Sequence, residues 1–172
     1  YFENRSRIIF EIVDGIRKQC GKHFLIGVRL SPERFGMDLQ EIKTLSQQLI
    51  DRGNIDFLDI SLWDCFKFPE DKNYGNKTLL EHFTTLDYKD VKLTVAGKIS
   101  SGKDAYDIIN SNVDFVTIGR SAILHHDFPI KVIEQPDFKP KTLPVSPKYL
   151  KNEGLSVTFI EYMSKWPDFV KY

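Results

Sequence analysis

Two apolar segments of the sequence end in residues that could bind an anion. One run closes with Ala96 and Gly97, and the next run, one βα unit later, closes with Gly119 and Arg120. Glycine lets backbone N–H groups approach an anion closely, a following helix N-terminus adds its positive dipole end, and arginine holds phosphate oxygens through a bidentate fork. These four residues predict a phosphate-binding site. The alternative is structural: the glycines only form turns and Arg120 is a surface charge.

An arginine interrupts another apolar run. Arg29 lies within the sequence IGVRL at 26–30, where a side chain that points into a barrel would not easily reach water. A buried cation needs a partner, and one alternative is an ion pair with Glu33 or Asp59. In the other alternative Arg29 lies beside an electron-accepting ring, where its charge would favour the anionic reduced form of the ring.

The other reactive side chains form no recognisable motif. His125 and His126 are adjacent rather than spaced along one helix face, so no metal site is predicted. Cys65 has no recognisable partner base and is expected to be an inert thiol. Lys98 follows Gly97 directly, and its role stays open between an anion ligand and a solvated charge.

Helices and strands alternate between these candidate residues. Apolar residues recur at helical spacing from Ile8 to a stop at Gly21, and both Asp38 and Thr78 precede a glutamate at capping-box spacing. Helices are predicted over 8–20, 39–52, 79–86 and 101–110, and strands over 24–30, 57–62, 91–95 and 114–118. The first strand is nearly continuous in apolar residues and is expected to be buried on both faces. Strands that alternate with helices form a parallel sheet through right-handed crossovers.

Four strands cannot close a barrel of eight, which typically needs about 250 residues. The chain is therefore either an open α/β sheet or half of a parallel (β/α)8 TIM barrel. The glycine-and-cation endings favour the half barrel, since the last two strands of such barrels often build a phosphate site. A half barrel would expose two sheet edges and apolar interior side chains, so we expect pairing with its missing half or with another copy.

The composition of the sequence changes near residue 128. Five prolines occur between residues 129 and 147, at 129, 136, 140, 144 and 147, and one short helix is predicted over 155–165, before Pro167. We therefore predict a half barrel over 1–128 and a proline-rich carboxy-terminal tail over 129–172.

Composition limits the classes of partner. The 172 residues are 41% hydrophobic, with 24 basic and 24 acidic side chains, so there is no net field to hold a nucleic acid or an anionic membrane. A small-molecule ligand is the expected partner. Cys20 and Cys65 are too few for a disulfide scaffold, which suits the cytoplasm. The sequence has no initiator Met at residue 1, and we expect it to be cut from a longer protein.

Several motifs occur together in the order and spacing of a known family. They are FENRSR at 2–7, GVRLSPE at 27–33, DFLDIS at 56–61, VAG at 95–97 and GR at 119–120. The chain resembles the carboxy-terminal half of an Old Yellow Enzyme, one of the NADH:flavin oxidoreductases. The resemblance covers nearly all residues to about Pro129.

The resemblance implies FMN bound at the mouth of a (β/α)8 barrel. It gives Arg29 the contact with the N1 and C2-carbonyl side of the flavin ring. It also implies that the FMN phosphate is bound by Ala96, Gly97, Gly119 and Arg120. Ala96 occupies a position where the family often has glycine.

The family passes a hydride from NADH or NADPH through FMN to an activated alkene such as an enone. The tyrosine that donates the proton and the pair that binds the carbonyl lie upstream of the matched segment, so no catalytic residue is assigned here. One alternative is a phosphosugar isomerase or lyase barrel, for which Lys98 is the only candidate base. Another is a half barrel that binds phosphate without catalysis.

Overall fold

The computed structural model describes residues 1–34 and 36–172. The chain divides into two compact units. The first unit consists of Tyr1–Gly97 and Ile108–Thr117, and the second consists of Lys98–Asp107 and Ile118–Tyr172. The boundary predicted after residue 128 remains a prediction.

Helices and strands alternate through most of the chain. In chain order the elements are α1 (Phe2–Cys20), β1 (Gly27–Leu30), α2 (Leu39–Arg52), β2 (Phe57–Ser61), a 3₁₀ helix (Lys72–Tyr74), α3 (Leu79–Thr84), β3 (Lys92–Ala96), α4 (Gly102–Ile109), β4 (Phe115–Val116), α5 (Arg120–Leu124), α6 (Phe128–Glu134), α7 (Pro147–Asn152) and α8 (Val157–Met163). All four strands belong to the first unit. This order confirms the predicted alternation.

The four strands form one parallel sheet in the order β1-β2-β3-β4. Leu58 of β2 pairs in register with Val28 on one side and Leu93 on the other. The register places the carboxyl ends of β1, β2 and β3 along the same edge of the sheet. An α/β fold with a parallel sheet is therefore confirmed.

Local sequence signals account for the helix boundaries. Asp38 caps α2 by accepting a hydrogen bond of 3.0 Å from the Glu41 backbone N–H, and Gly53 ends α2 in the left-handed conformation. At α3 the reciprocal capping box between Thr78 and Glu81 is complete. These helix starts were predicted from the spacing alone.

The two faces of the sheet differ in chemistry. Val28, Leu58 and Leu93 share one face and are buried. The opposite face carries the polar side chains of Arg29, Asp59, Ser61 and Thr94. Strand β1 alternates between exposed and buried residues, so the expectation that it is buried on both faces was wrong. The expectation of an apolar interior face was also wrong at these polar positions.

The second unit has a core of its own. Its buried apolar residues are Leu124, Val145, Leu150, Ile160, Met163 and Phe169. Helix α8 agrees with the helix predicted near the end of the chain. Helices α6 and α7 were not predicted, because Pro129 and Pro147 suggested loops. Both prolines lie in the first turn of a helix, where a missing N–H costs nothing.

Within the described residues, no helix is both long enough and apolar enough to cross a membrane.

Candidate functional site

The carboxyl edge of the sheet brings together two predicted site residues, one from β1 and one from β3, with a serine of β2 between them. Ser61, the last residue of β2, pairs in register with Ala96 of β3. The Arg29 Nη2 group of β1 donates a hydrogen bond of 3.1 Å to Ser61 Oγ. The structure thus brings Arg29 and Ala96 to the same edge, with Ser61 between them. Ser61 was expected at the end of a strand, but no role was predicted for it.

Arg29 forms an ion pair with Asp59. Arg29 Nη1 lies 3.2 Å from Asp59 Oδ2, and the Arg29 side chain is 52% exposed. Glu33, the other predicted partner, instead lies 3.0 Å from Lys67 Nζ. The ion-pair alternative is therefore confirmed for Asp59. The expectation that Arg29 would not easily reach water was wrong, because half of its side chain is exposed, although Asp59 and Thr94 on the same face are buried.

Asp59 is a buried charged residue at the middle of β2. Only 8% of its surface is exposed, and its Oδ1 atom makes no hydrogen bond within the described residues. Burial raises the pKa of the Asp59 carboxyl above its ordinary value, while the Arg29 charge and a hydrogen bond with Thr117 act in the opposite direction. The sequence signal that could have marked Asp59 is an acidic residue at the centre of the apolar strand FLDIS.

Gly97 is required by close packing of the backbone. A Cβ atom on Gly97 would lie 2.8 Å from the Asp64 N atom and 2.9 Å from the Trp63 carbonyl carbon. Trp63 has a positive φ of 63°, and the Asp64 N–H donates to the Leu62 carbonyl at 2.7 Å. These features define a γ-turn of the rarer, strained form. The turn alternative therefore accounts for Gly97 without any ligand.

Gly119 has no such packing constraint. It is the N-cap residue of α5, and a Cβ placed on it would meet no described atom within 4 Å. Arg120 follows and is exposed, whereas Ser121 is buried and donates a hydrogen bond of 2.8 Å to the Ile99 carbonyl. Gly119 and Arg120 lie in the second unit, while Ala96 and Gly97 lie in the first.

The sequence left the role of Lys98 open. In the structure Lys98 is exposed and has a φ of 49°. Positive φ is uncommon for a residue with a side chain. The conformation of Lys98 therefore marks a sharp turn directly after β3 and Gly97.

Three side chains in the second unit lie close together and are of types that can bind a metal ion. His125, Asp127 and Glu153 offer ligand atoms that lie within 4.8 Å of one another. These groups already have partners: the Lys141 N–H donates to His125 Nε2 at 2.9 Å, and Lys131 Nζ lies 2.7 Å from Asp127. Burial lowers the pKa of the His125 imidazole, which favours its neutral form. The contacts describe an internal polar network.

Together the sheet and its polar edge define an α/β protein with a cation at the carboxyl ends of parallel strands, the position where such folds bind ligands. Comparison with known proteins gives the family. The model of the NADH:flavin oxidoreductase / NADH oxidase family matches residues 1–137. The chain belongs to this family.

Two curated relatives illustrate the match. A probable NADH-dependent flavin oxidoreductase, YqiG, of Bacillus subtilis (strain 168) is 30% identical over 139 residues, which cover 77% of this chain and 37% of that protein. A cinnamate reductase of Clostridium sporogenes is 25% identical over 154 residues, which cover 77% of this chain and 23% of that protein. The chain spans well under half the length of these relatives.

Solved structures share the fold. Morphinone reductase in complex with tetrahydroNAD is 21% identical with a TM-score of 0.58, over 87% of this chain and 38% of that chain. A further morphinone reductase structure is 24% identical with a TM-score of 0.57, over 87% of this chain and 39% of that one. The fold of this chain therefore corresponds to part of the fold of these larger proteins.

Proposed function

We propose that the chain is the carboxy-terminal, FMN-binding half of the (β/α)8 barrel of an Old Yellow Enzyme-like NAD(P)H oxidoreductase. Membership of the NADH:flavin oxidoreductase family supports this function. The structural observation that carries it is the exposed Arg29 guanidinium, which Asp59 and Ser61 hold at the carboxyl edge of the sheet. Family membership also favours a flavin over the phosphosugar chemistry that the sequence left open.

Arg29 is suited to the ring end of the cofactor. Its guanidinium carries five N–H donors, of which two contacts with Asp59 and Ser61 use only part. The remaining donors can bind the N1 and C2-carbonyl side of a flavin ring. When bound, FMN would supply the hydride chemistry that links NADH or NADPH to an activated alkene. A fixed cation beside the ring would favour its anionic form.

Ala96, Gly97, Gly119 and Arg120 are proposed to bind the FMN phosphate. The family resemblance is the main support for these roles. For Gly119 there is also the open space that a Cβ atom would enter, and for Arg120 there is its exposure at the start of α5. The geometry gives less support to Gly97, since packing against Trp63 and Asp64 already explains its glycine.

The rest of the barrel is proposed to come from the missing amino-terminal half. The chain covers 37% of the Bacillus subtilis relative, so the complete protein would supply further strands. The residues that bind the substrate carbonyl and donate the proton are proposed to lie in that half. Closing the proposed barrel would require this half or a second copy of the chain.

The binding of FMN and of riboflavin can be compared to distinguish residues that bind the phosphate from residues that bind the ring. In the full-length protein, Arg120→Ala should weaken FMN binding about tenfold to a hundredfold, because hydrogen bonds to charged groups contribute about 1.5–3 kcal/mol. Binding of riboflavin, which lacks the phosphate, should not change. Arg29→Ala should weaken the binding of both ligands. Isothermal titration or fluorescence quenching of the free flavin measures all four affinities.

Lys151→Ala is a matched control, since Lys151 is an exposed cation of the second unit on α7. It should leave the affinity for both ligands unchanged. If Arg120→Ala weakens FMN and riboflavin binding equally, the assignment of Arg120 to the phosphate is wrong. If the full-length protein binds no FMN, a half barrel that only binds phosphate compounds becomes the better interpretation.

A further inference from the structure

Asp59 lies at the centre of the polar face of the sheet. It pairs in register with Arg29 of β1 and with Thr94 of β3, so all three side chains stand on one face. The Thr94 hydroxyl lies 3.0 Å from the Thr117 hydroxyl. Asp59 is therefore held in a polar row across the sheet, with the guanidinium of Arg29 as its ionic neighbour.

The two members of the ion pair differ in exposure. The Asp59 side chain is 11% exposed and the Arg29 side chain is 52% exposed. The carboxylate is therefore the fixed end of the pair, and the guanidinium is the end that is accessible from solvent. Ser61, two residues beyond Asp59 on the same strand, accepts from the second Arg29 nitrogen at 3.1 Å. Two anchors on β2 thus fix the plane of the guanidinium.

The buried carboxylate also changes the charge that Arg29 presents. A carboxylate in contact with a guanidinium compensates much of its field, and the effect is strong where solvent screening is weak. One Asp59 oxygen, Oδ1, makes no hydrogen bond within the described residues. The cost of burying this oxygen is consistent with a role other than maximal stability.

We propose that Asp59 is a positioning residue for Arg29, which orients the guanidinium and limits the positive charge that Arg29 offers to a flavin ring. This inference rests on the proposed FMN-binding function. In this role Asp59 does not touch the cofactor. It acts by holding Arg29 in one rotamer and by setting how strongly the protein favours the reduced ring over the oxidised ring.

Asp59→Asn in the full-length holoprotein tests the charge part of the proposal. The substitution keeps the shape of the side chain and removes its charge, so Arg29 should favour the anionic reduced ring about tenfold more strongly. For a two-electron couple this corresponds to a rise of about 30 mV in the reduction potential of bound FMN. Spectroelectrochemical titration measures the potential directly and does not depend on turnover.

Two further variants make the result specific. Asp56→Asn is the matched control, because Asp56 adjoins β2 at the opposite end and pairs with Arg17 at 2.9 Å; it should leave the potential unchanged. In an Arg29→Met background, Asp59→Asn should no longer raise the potential. An unchanged potential in Asp59→Asn, or an equal rise with and without Arg29, would overturn the proposal.

Ser61→Ala tests whether β2 orients the Arg29 guanidinium. This variant keeps the proposal testable if Asp59→Asn folds poorly. Loss of this anchor should weaken FMN binding several-fold with little change in potential, because no charge is altered. Unchanged affinity would refute the role of β2 in orienting Arg29.

In the flavin-free protein, ¹³C NMR of the Asp59 carboxyl should show a higher pKa in Arg29→Met than in the wild type. If the pKa difference is seen but the protein binds no FMN, the proposed function is wrong and only the electrostatic link between Asp59 and Arg29 stands. If FMN binds but the pKa difference is absent, this inference alone is wrong.

Discussion

At the scale of single residues, Gly97 and Gly119 play different parts although both belong to the predicted phosphate site. Gly97 packs against the backbone of the turn at Trp63 and Asp64, whereas Gly119 has open space where a Cβ would lie. The same residue type in the same sequence context thus has a packing explanation in one case and none in the other.

Alanine at each glycine separates these explanations. Gly97→Ala should lower the free energy of unfolding by about 1–3 kcal/mol, because its Cβ would overlap backbone atoms that cannot rotate away. Gly119→Ala should change stability by less than about 0.5 kcal/mol and should weaken FMN binding. Urea unfolding and FMN titration of both variants in the full-length protein measure the two effects. Equal destabilisation by the two substitutions would contradict the packing account.

The sequence predicted part of the site at this scale. It showed that Arg29 needs a partner, but it could not choose between Asp59 and Glu33. That choice depends on the register between β1 and β2, which places Asp59 beside Arg29, and on Lys67, which pairs with Glu33. Ser61 was missed as an anchor because its role appears only when the two strands lie side by side.

At the scale of elements, the starts of α2 and α3 are the best-predicted features, whereas α1 begins at Phe2, six residues before its predicted start. The capping box at Thr78 and the cap at Asp38 were evident from residue types three positions apart, because both depend on local hydrogen bonds. Helices α6 and α7 were missed because proline can end a helix or occupy its first turn. In these two helices the first-turn role applies, and Leu150 of α7 belongs to the core of the second unit.

Removing the capping side chain tests how much α3 depends on it. Thr78→Ala should lower the free energy of unfolding by about 0.5–2 kcal/mol, since the backbone N–H of Glu81 would lose its acceptor. Thr158→Ala is a suitable control, because Thr158 is an exposed residue inside α8. Chemical denaturation compares the two variants, and an equal effect of both would show that the box contributes nothing.

At the scale of the whole molecule, the sheet has one buried apolar face and one face of mixed chemistry. The mixed face carries the polar side chains of the Arg29 row and the paired rings of Phe57 and Phe115. The alternation of helices and strands predicted four parallel strands correctly. It did not predict that the face bearing Arg29 would be polar, because apolar periodicity reports burial against helices and not the chemistry of the opposite face. The chain spans 37% of one relative and 23% of the other, so the proposed activity belongs to a longer polypeptide.

Flavin binding by the full-length protein is the most direct test of the central claim. The protein, purified in the presence of FMN and freed of excess ligand, should keep a flavin absorption band with one FMN per chain. Anaerobic addition of NADH or NADPH should bleach that band, and addition of an enone should restore it. A full-length protein that folds but retains no FMN and shows no such band would contradict the account.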